Sequence, residues 1–199
     1  MEKNGLFVMT SMGLKRKSID VLNKKPGVWM LIGKKKEEGH EEGHFICLQI
    51  GQTGNIGLEV KRDIEFMVEA EPKSSKKKYV NQFGEVQFEY DDYANWRAKQ
   101  LYYIIAKEYK ELKFVCIICE RNTKEQRDKL EKYMAYKSSC KYWVNGRPFS
   151  AKKENDRKQY CIGECEVIKK ELQKFFNHEL LQKIDNFILN MSNKDFEDV

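Results

Sequence analysis

The chain has no apolar run approaching the roughly 20 residues that carry a helix across a bilayer. Its first residues also lack the apolar core and cleavage site of a secretory signal. A cytoplasmic protein with no membrane partner is therefore expected. There is no Walker-type or dinucleotide-type glycine pattern, which argues against nucleotide-dependent chemistry. Nothing repeats internally, and a serine or cysteine triad has no support beyond the presence of the residue types. Six cysteines without an export signal read as free thiols rather than a disulfide framework. Cys116-Ile117-Ile118-Cys119 and Cys161-Ile162-Gly163-Glu164-Cys165, with Cys140 between them, could offer four thiolates to zinc. However, Cys116 and Cys119 fall in an expected strand, where residues three apart point to opposite faces, so no zinc is expected.

What is present is a chain of 199 residues, 41% of them hydrophobic, enough to bury one domain or one domain with a helical appendage. The 37 Lys and Arg against 31 Asp and Glu leave a net charge of +6, which suits a polyanionic partner. The excess is concentrated near the start. Residues 1–36 carry Lys3, Lys15, Arg16, Lys17, Lys24, Lys25, Lys34, Lys35 and Lys36 against only Glu2 and Asp20. Lys15, Arg16, Lys17, Lys34, Lys35 and Lys36 are the candidate nucleic-acid contacts, with DNA as the expected partner. The plain alternative is a solvated charged surface.

Two short apolar, β-branched runs organise the rest: Pro26-Gly27-Val28-Trp29-Met30-Leu31-Ile32-Gly33, and Phe45 to Ile50 leading into Gly51-Gln52-Thr53-Gly54-Asn55-Ile56. They read as a β-hairpin joined by a charged loop over 34–44, and the second strand breaks at glycine and hands over to a helix. Thr53 or Asn55 caps that helix, which runs to about Glu69 with Ile56, Val60, Ile64, Met67 and Val68 near one face and Glu59, Lys61, Arg62 and Glu65 exposed. Leu6 to Met9 reads as a short strand and Ser18 to Leu22 as a helical turn. Residues 72–78 form a polar linker, and Val86 to Tyr90 an extra strand. A second helix spans 94–110, with Trp96, Leu101, Ile104, Ile105 and Tyr109 at helical spacing, and Leu112 to Cys119 is a central strand. Asn122 or Thr123, each followed three residues later by Glu125 or Gln126, starts a third helix that buries Leu130, Tyr133 and Met134. Residues 151–158 are expected to be exposed. The last forty residues are helical, with Ile168, Leu172, Phe175, Leu180, Ile184, Phe187 and Ile188 forming a stripe that packs on the domain or on a second copy of the chain. The fold class is α/β (α+β): a small mixed or antiparallel sheet starting with a β-hairpin, flanked by helices, with a C-terminal helical extension.

Gly27-Val28-Trp29 followed by Gln49-Ile50-Gly51 resembles the two-part signature of the GIY-YIG nuclease superfamily. Arg127-Asp128-Lys129-Leu130-Glu131, with Asn145 downstream, is similar to that family's metal-binding helix and following asparagine. The resemblance divides the chain into a basic N-terminal segment (1–26), a GIY-YIG-like domain (27–150) and a helical extension (151–199). It implies a DNA endonuclease of restriction or mobile-element type, in which one Mg2+ or Mn2+ held by Glu131 polarises the phosphoryl oxygen. Arg62 or Lys61 would meet the scissile phosphate, and Gln49, Asn145 or His44 would orient water. The chain departs from the pattern where it matters for chemistry. The first motif tyrosine is Trp29, which cannot act as a base or a phenolate, and the second is Gln49, which positions water but does not deprotonate it. Glu59 stands where the family has arginine. His40 and His44 flank Glu41 and Glu42 and could bind a metal, although such loops are more often inert. The alternative is therefore a catalytically inactive relative that binds DNA or a protein, with a homodimer contact through the C-terminal helix.

Overall fold

The computed structural model describes residues 5–10, 12–36, 43–69, 76–80, 86–90, 93–143 and 154–191. In chain order the elements are β1 (Gly5–Thr10), β2 (Gly13–Arg16), a 3-10 turn (Ile19–Leu22), β3 (Gly27–Lys35), β4 (Ile46–Thr53), α1 (Ile56–Val68), β5 (Lys76–Val80), β6 (Val86–Tyr90), α2 (Tyr93–Glu108), β7 (Tyr109–Ile118), α3 (Lys124–Lys137), α4 (Glu154–Leu172) and α5 (His178–Asn190). They form two compact units, Met1–Val60 with Tyr109–Val199, and Lys61–Glu108.

The first unit is built on a five-stranded mixed sheet of order β2-β1-β7-β3-β4. β3 is its spine, antiparallel to β4 on one side and to β7 on the other, while β1 runs parallel to β7. The pleat sends alternate residues to opposite faces. Val28, Met30 and Ile32, with Ile50, Cys47, Val115 and Ile117 from the neighbouring strands, join Leu130, Tyr133 and Met134 of α3 and the buried stripes of α4 and α5 in one apolar core. Trp29 and Leu31, with Phe114 and Cys116 opposite them in the register, turn to the other face. Because β1 and β2 belong to the same sheet as β3, Gly5–Thr10 and Gly13–Arg16, expected in a basic N-terminal segment, are strands of that sheet.

The hairpin and the mixed sheet with flanking helices agree with the expected fold class, whereas β4 does not break at Gly51 but pairs with β3 as far as Thr53. α3 carries the full capping box: Gln126 N donates to Thr123 Oγ1 (3.3 Å), and Gln126 Oε1 accepts from Thr123 N (3.1 Å). Asn55, not Thr53, caps α1, its Oδ1 accepting from Leu58 N (3.2 Å) and from Lys24 N (2.9 Å).

Several expectations need correction. The buried stripe of α1 runs through Ile56, Val60, Asp63 and Phe66, while Ile64 and Val68 are exposed. The helix is rotated so that Asp63 faces inward: Tyr102 donates its hydroxyl to Asp63 Oδ2 (2.7 Å), and Phe66 packs on the same tyrosine. Lys76 to Lys78, expected in a linker, are in β5, which pairs with β6. The second helix stops at Glu108, so Tyr109 and Lys110 open β7 instead. β2 was not anticipated, because Gly13 to Arg16 has no apolar alternation. The exposure expected of 151–158 lies outside the described residues, although the backbone from Glu154 onward is in α4. The C-terminal helix is broken between α4 and α5, and the turn exchanges Phe175 for Phe176: the latter is buried and the former is 45% exposed.

The stripe of α5 is covered within the chain, against β1 and α3. A polar knot tightens this contact. Asp185 accepts from the Tyr133 hydroxyl and from Lys169 Nζ, and Lys137 Nζ lies 3.7 Å away. The apolar face that suggested a homodimer is therefore already used. No helix among the described residues is long and apolar enough to cross a membrane.

Candidate functional site

The two stretches that carry the resemblance are neighbouring strands. Trp29 of β3 stands opposite Gly51 of β4, and Leu31 stands opposite Gln49. Trp29 is 2% exposed, and its ring meets Phe114 edge-on at 5.8 Å between centroids. The indole also lies flat against the partner strand, so a Cβ on Gly51 would fall 2.6 Å from Trp29 Cζ2 and 3.0 Å from its Nε1. Gly27 is held for a similar reason: a Cβ there would sit 2.1 Å from the Ile117 carbonyl oxygen and 2.6 Å from Ile56 Cδ1. Both motif glycines thus have a packing reason to be glycine. Trp29 Nε1 and Gln49 Oε1 are both buried and have no hydrogen-bond partner among the described residues.

Glu131 is on α3, which packs on the face that Val28, Met30 and Ile32 line, whereas Trp29 and Gln49 point to the other face. The sheet therefore stands between the first two motif positions and the helix that carries the glutamate. Glu131 itself does not reach solvent. It is 2% exposed, and its Oε1 accepts from the Trp143 indole N–H at 2.7 Å. Trp143 in turn packs edge-on against Tyr136 at 5.5 Å. Magnesium keeps several of its waters and needs an open carboxylate. A buried carboxylate turned toward an indole fits it poorly, and among the described residues no three His, Cys, Asp or Glu side chains gather as a metal-holding group.

The other expected site residues are dispersed. Lys61 and Arg62 are exposed on α1 in the second unit, where Arg62 lies 3.5 Å from Asp63 Oδ1. His44 is exposed just before β4. Asn145, His40, Glu41 and Glu42 lie outside the described residues. Arg127, in the same motif as Glu131, points its Nε at Gln52 Oε1 (3.4 Å) and donates through an Nη to the Asn122 carbonyl (2.7 Å), bracing the start of α3 against β4.

The register brings several cations together. Arg16 stands opposite Phe7, Lys17 N donates to the Leu6 carbonyl (2.9 Å), Lys113 stands beside both Gly5 and Ile32, Lys34 opposite Lys110, and Lys35 opposite Tyr109. Lys34, Lys35, Lys110 and Lys113 share the end of the sheet where β3 finishes and β7 begins, whereas the register sets Arg16 in the row of Met30 and Lys15 in the row of Trp29. Lys110 and Lys113 were not among the candidates in the sequence, because their place beside Lys34 depends on the β3–β7 pairing. Aromatic rings run through the cluster. Lys113 Nζ sits 5.0 Å from the Phe45 ring and 5.5 Å from the Phe7 ring, and Lys34 Nζ sits 4.9 Å from Phe45 and 3.4 Å from Glu111. Lys141 donates to the Tyr109 hydroxyl and lies 5.2 Å over the Tyr142 ring. Burial pushes the Tyr142 phenol up to about 12, so it stays a neutral donor. Lys15, Arg16, Lys17, Lys35, Lys36, Lys110 and Lys141 are exposed.

Comparison with protein-family models, with curated proteins and with solved structures finds no match to the chain.

Proposed function

We propose that this chain is a nucleic-acid-binding module, related in motif to GIY-YIG nucleases, that binds phosphate backbone without cleaving it. The observation that carries the reading is the gathering of Lys34, Lys35, Lys110 and Lys113 from β3 and β7 at one end of a single sheet, over the Phe7 and Phe45 rings and close to Lys141 and Tyr142. Such a surface offers point charges to phosphates and needs no reactive group.

Cleavage is the less favoured reading. The hairpin and its motif glycines support it, as the resemblance implies. The placement of Trp29 and Gln49 on one face and Glu131 on the other counts against it, as does the distance between the motif and these lysines. Trp29 and Lys34 are five residues apart on β3, roughly 16 Å at the rise of an extended strand.

The test is fluorescence anisotropy with duplex and single-stranded oligonucleotides at two salt concentrations, beside a plasmid-nicking assay with Mg2+ or Mn2+ on the wild type and Glu131→Gln. Binding is expected to weaken with salt. Combined Lys35→Ser, Lys36→Ser and Lys110→Ser changes are expected to lower the salt slope by about 2 to 3, one per lost phosphate contact. Absence of binding at low salt overturns the reading. Nicking that disappears in Glu131→Gln replaces it with the endonuclease.

A further inference from the structure

Five described cysteines, Cys47, Cys116, Cys119, Cys140 and Cys165, are free thiols, and all are buried. Three have separate surroundings. Cys116 shares the sheet face of Trp29, the Cys119 thiol donates to the Ile117 carbonyl (3.4 Å), and the Cys165 thiol donates to the Tyr133 carbonyl (4.0 Å). Cys47 and Cys140 instead are neighbours across the edge of β4: the residue after Cys140 donates its amide to the Cys47 carbonyl, and the Cys47 thiol is among the causes that raise the pKa of the Cys140 thiol. The backbone holds them in place. Cys140 N donates to the Ala135 carbonyl (3.0 Å) where α3 ends. The next two amides, Lys141 N and Tyr142 N, then donate to the Cys47 and Leu48 carbonyls (3.1 and 2.9 Å), adding a short strip to the outer edge of β4.

We propose that Cys47 and Cys140 form a dithiol that closes to a disulfide under a hydroperoxide, bolting the strip after α3 to the edge of the sheet. One sulfur attacks a peroxide oxygen as the O–O bond breaks, giving a sulfenic acid and an alcohol. The second sulfur then displaces water from the first. Two thiols and ROOH thus give one S–S bond, ROH and water, and the two electrons pass from the sulfurs to the peroxide. Burial slows this reaction without changing its product: it holds the Cys140 thiol well above the usual range, so thiolate is scarce at neutral pH and closure accelerates in alkali. The bolted strip carries Lys141 and Tyr142. An effect on oligonucleotide binding therefore rests on the proposed function, whereas the bridge itself does not.

The full-length protein, reduced and then treated with hydrogen peroxide, is unfolded, alkylated, digested and mapped by mass spectrometry. A linked pair of peptides holding Cys47 and Cys140, lighter by two hydrogens, reversed by a reductant and absent in both Cys47→Ser and Cys140→Ser, establishes the bridge. The bridge closes a loop on the order of a hundred residues, so the wild type should also melt on the order of 10 °C higher when oxidised. Recovery of Cys47 and Cys140 as alkylated thiols or sulfinic acids, a bridge between Cys116 and Cys119 in their place, or a bridged form that melts below the reduced one overturns the proposal. If the bridge forms and oxidised and reduced protein both fail to bind oligonucleotides, the nucleic-acid reading falls while the bridge stands.

Discussion

Substituting alanine for Gly51 puts a methyl group where the Trp29 indole already is. The added carbon would lie 2.6 Å from Cζ2, 2.8 Å from Cε2 and 3.0 Å from Nε1. Phe114 stands edge-on to the same ring, so the indole has little room to move away. Overpacking of this kind costs about 1–3 kcal/mol. Removing a glycine from a strand interior returns roughly 0.5–1 kcal/mol through the unfolded chain. A net loss of about 1–2 kcal/mol is expected, or about 2–8 °C in Tm for a chain of this size. The sharper test is the coupling. Trp29→Phe removes the fused ring that makes the contact, so Gly51→Ala should be neutral or slightly stabilising on that background. Urea unfolding of the wild type, both single variants and the double variant measures the difference, which should be about 1–3 kcal/mol. If the two changes add within about 0.5 kcal/mol, the indole is not what keeps position 51 a glycine.

Asp185→Ala leaves the Tyr133 hydroxyl and Lys169 without their buried partner and should cost about 2–4 kcal/mol in urea unfolding. Asp185→Asn, which keeps an acceptor oxygen, should cost less; equal losses would show that the contacts do not matter. Glu131→Ala orphans the Trp143 indole N–H and should cost about 1–3 kcal/mol, while Glu131→Gln preserves the acceptor and most of the stability. A Glu131→Gln protein as unstable as Glu131→Ala would refute a structural role for that hydrogen bond. Stability should fall as the pH rises above 9. Burial lifts Cys116 from 9.0 to about 12 and Cys119 from 9.0 to about 11, so the unfolded chain releases these protons first. Their contribution is complete below pH 9 and is lost between 9 and 12. The urea midpoint measured at successive pH values should decline over that window and decline less in Cys116→Ala; parallel curves for the two proteins would sink this account.

The elements that were legible in the sequence are those whose signals are local. The apolar runs of β3 and β4 and the Thr123 capping box each draw on neighbouring residues, and each is where it was expected, although β4 runs on through Gly51 to Thr53. The failures need partners distant in sequence. Asp63 is buried because Tyr102 donates to it, and no periodicity rule assigns an aspartate to a buried stripe while leaving Ile64 and Val68 exposed. Gly13 to Arg16 becomes a strand because β1 offers it an edge. Lys110 and Lys113 join Lys34 only through the β3–β7 register. Glu131 illustrates the same limit at the candidate site. Its neighbour Leu130 marks the buried face of α3, but whether the carboxylate opens to a cleft or closes on an indole depends on Trp143, twelve residues on and outside the helix.

Trp29 gives the glycine opposite it a packing role that does not depend on catalysis. A tyrosine at that position could present a hydroxyl; the indole instead lies along the partner strand and occupies the space above Gly51. The glycine is then required by packing, whatever becomes of catalysis, and a chain that never cleaves a phosphodiester would still retain it. Gly27 is in the same position, pinned by the Ile117 carbonyl and Ile56. These glycines belong to the end of the sheet where β3 begins, whereas Lys34, Lys35 and Lys110 lie where β3 finishes, seven residues and roughly 23 Å along the strand from Gly27 to Lys34. A cleavage site needs its phosphate-holding charge beside the reacting atoms. Those three lysines stand too far along the strand to hold a phosphate beside Trp29, which is why they favour the proposed binding role over cleavage.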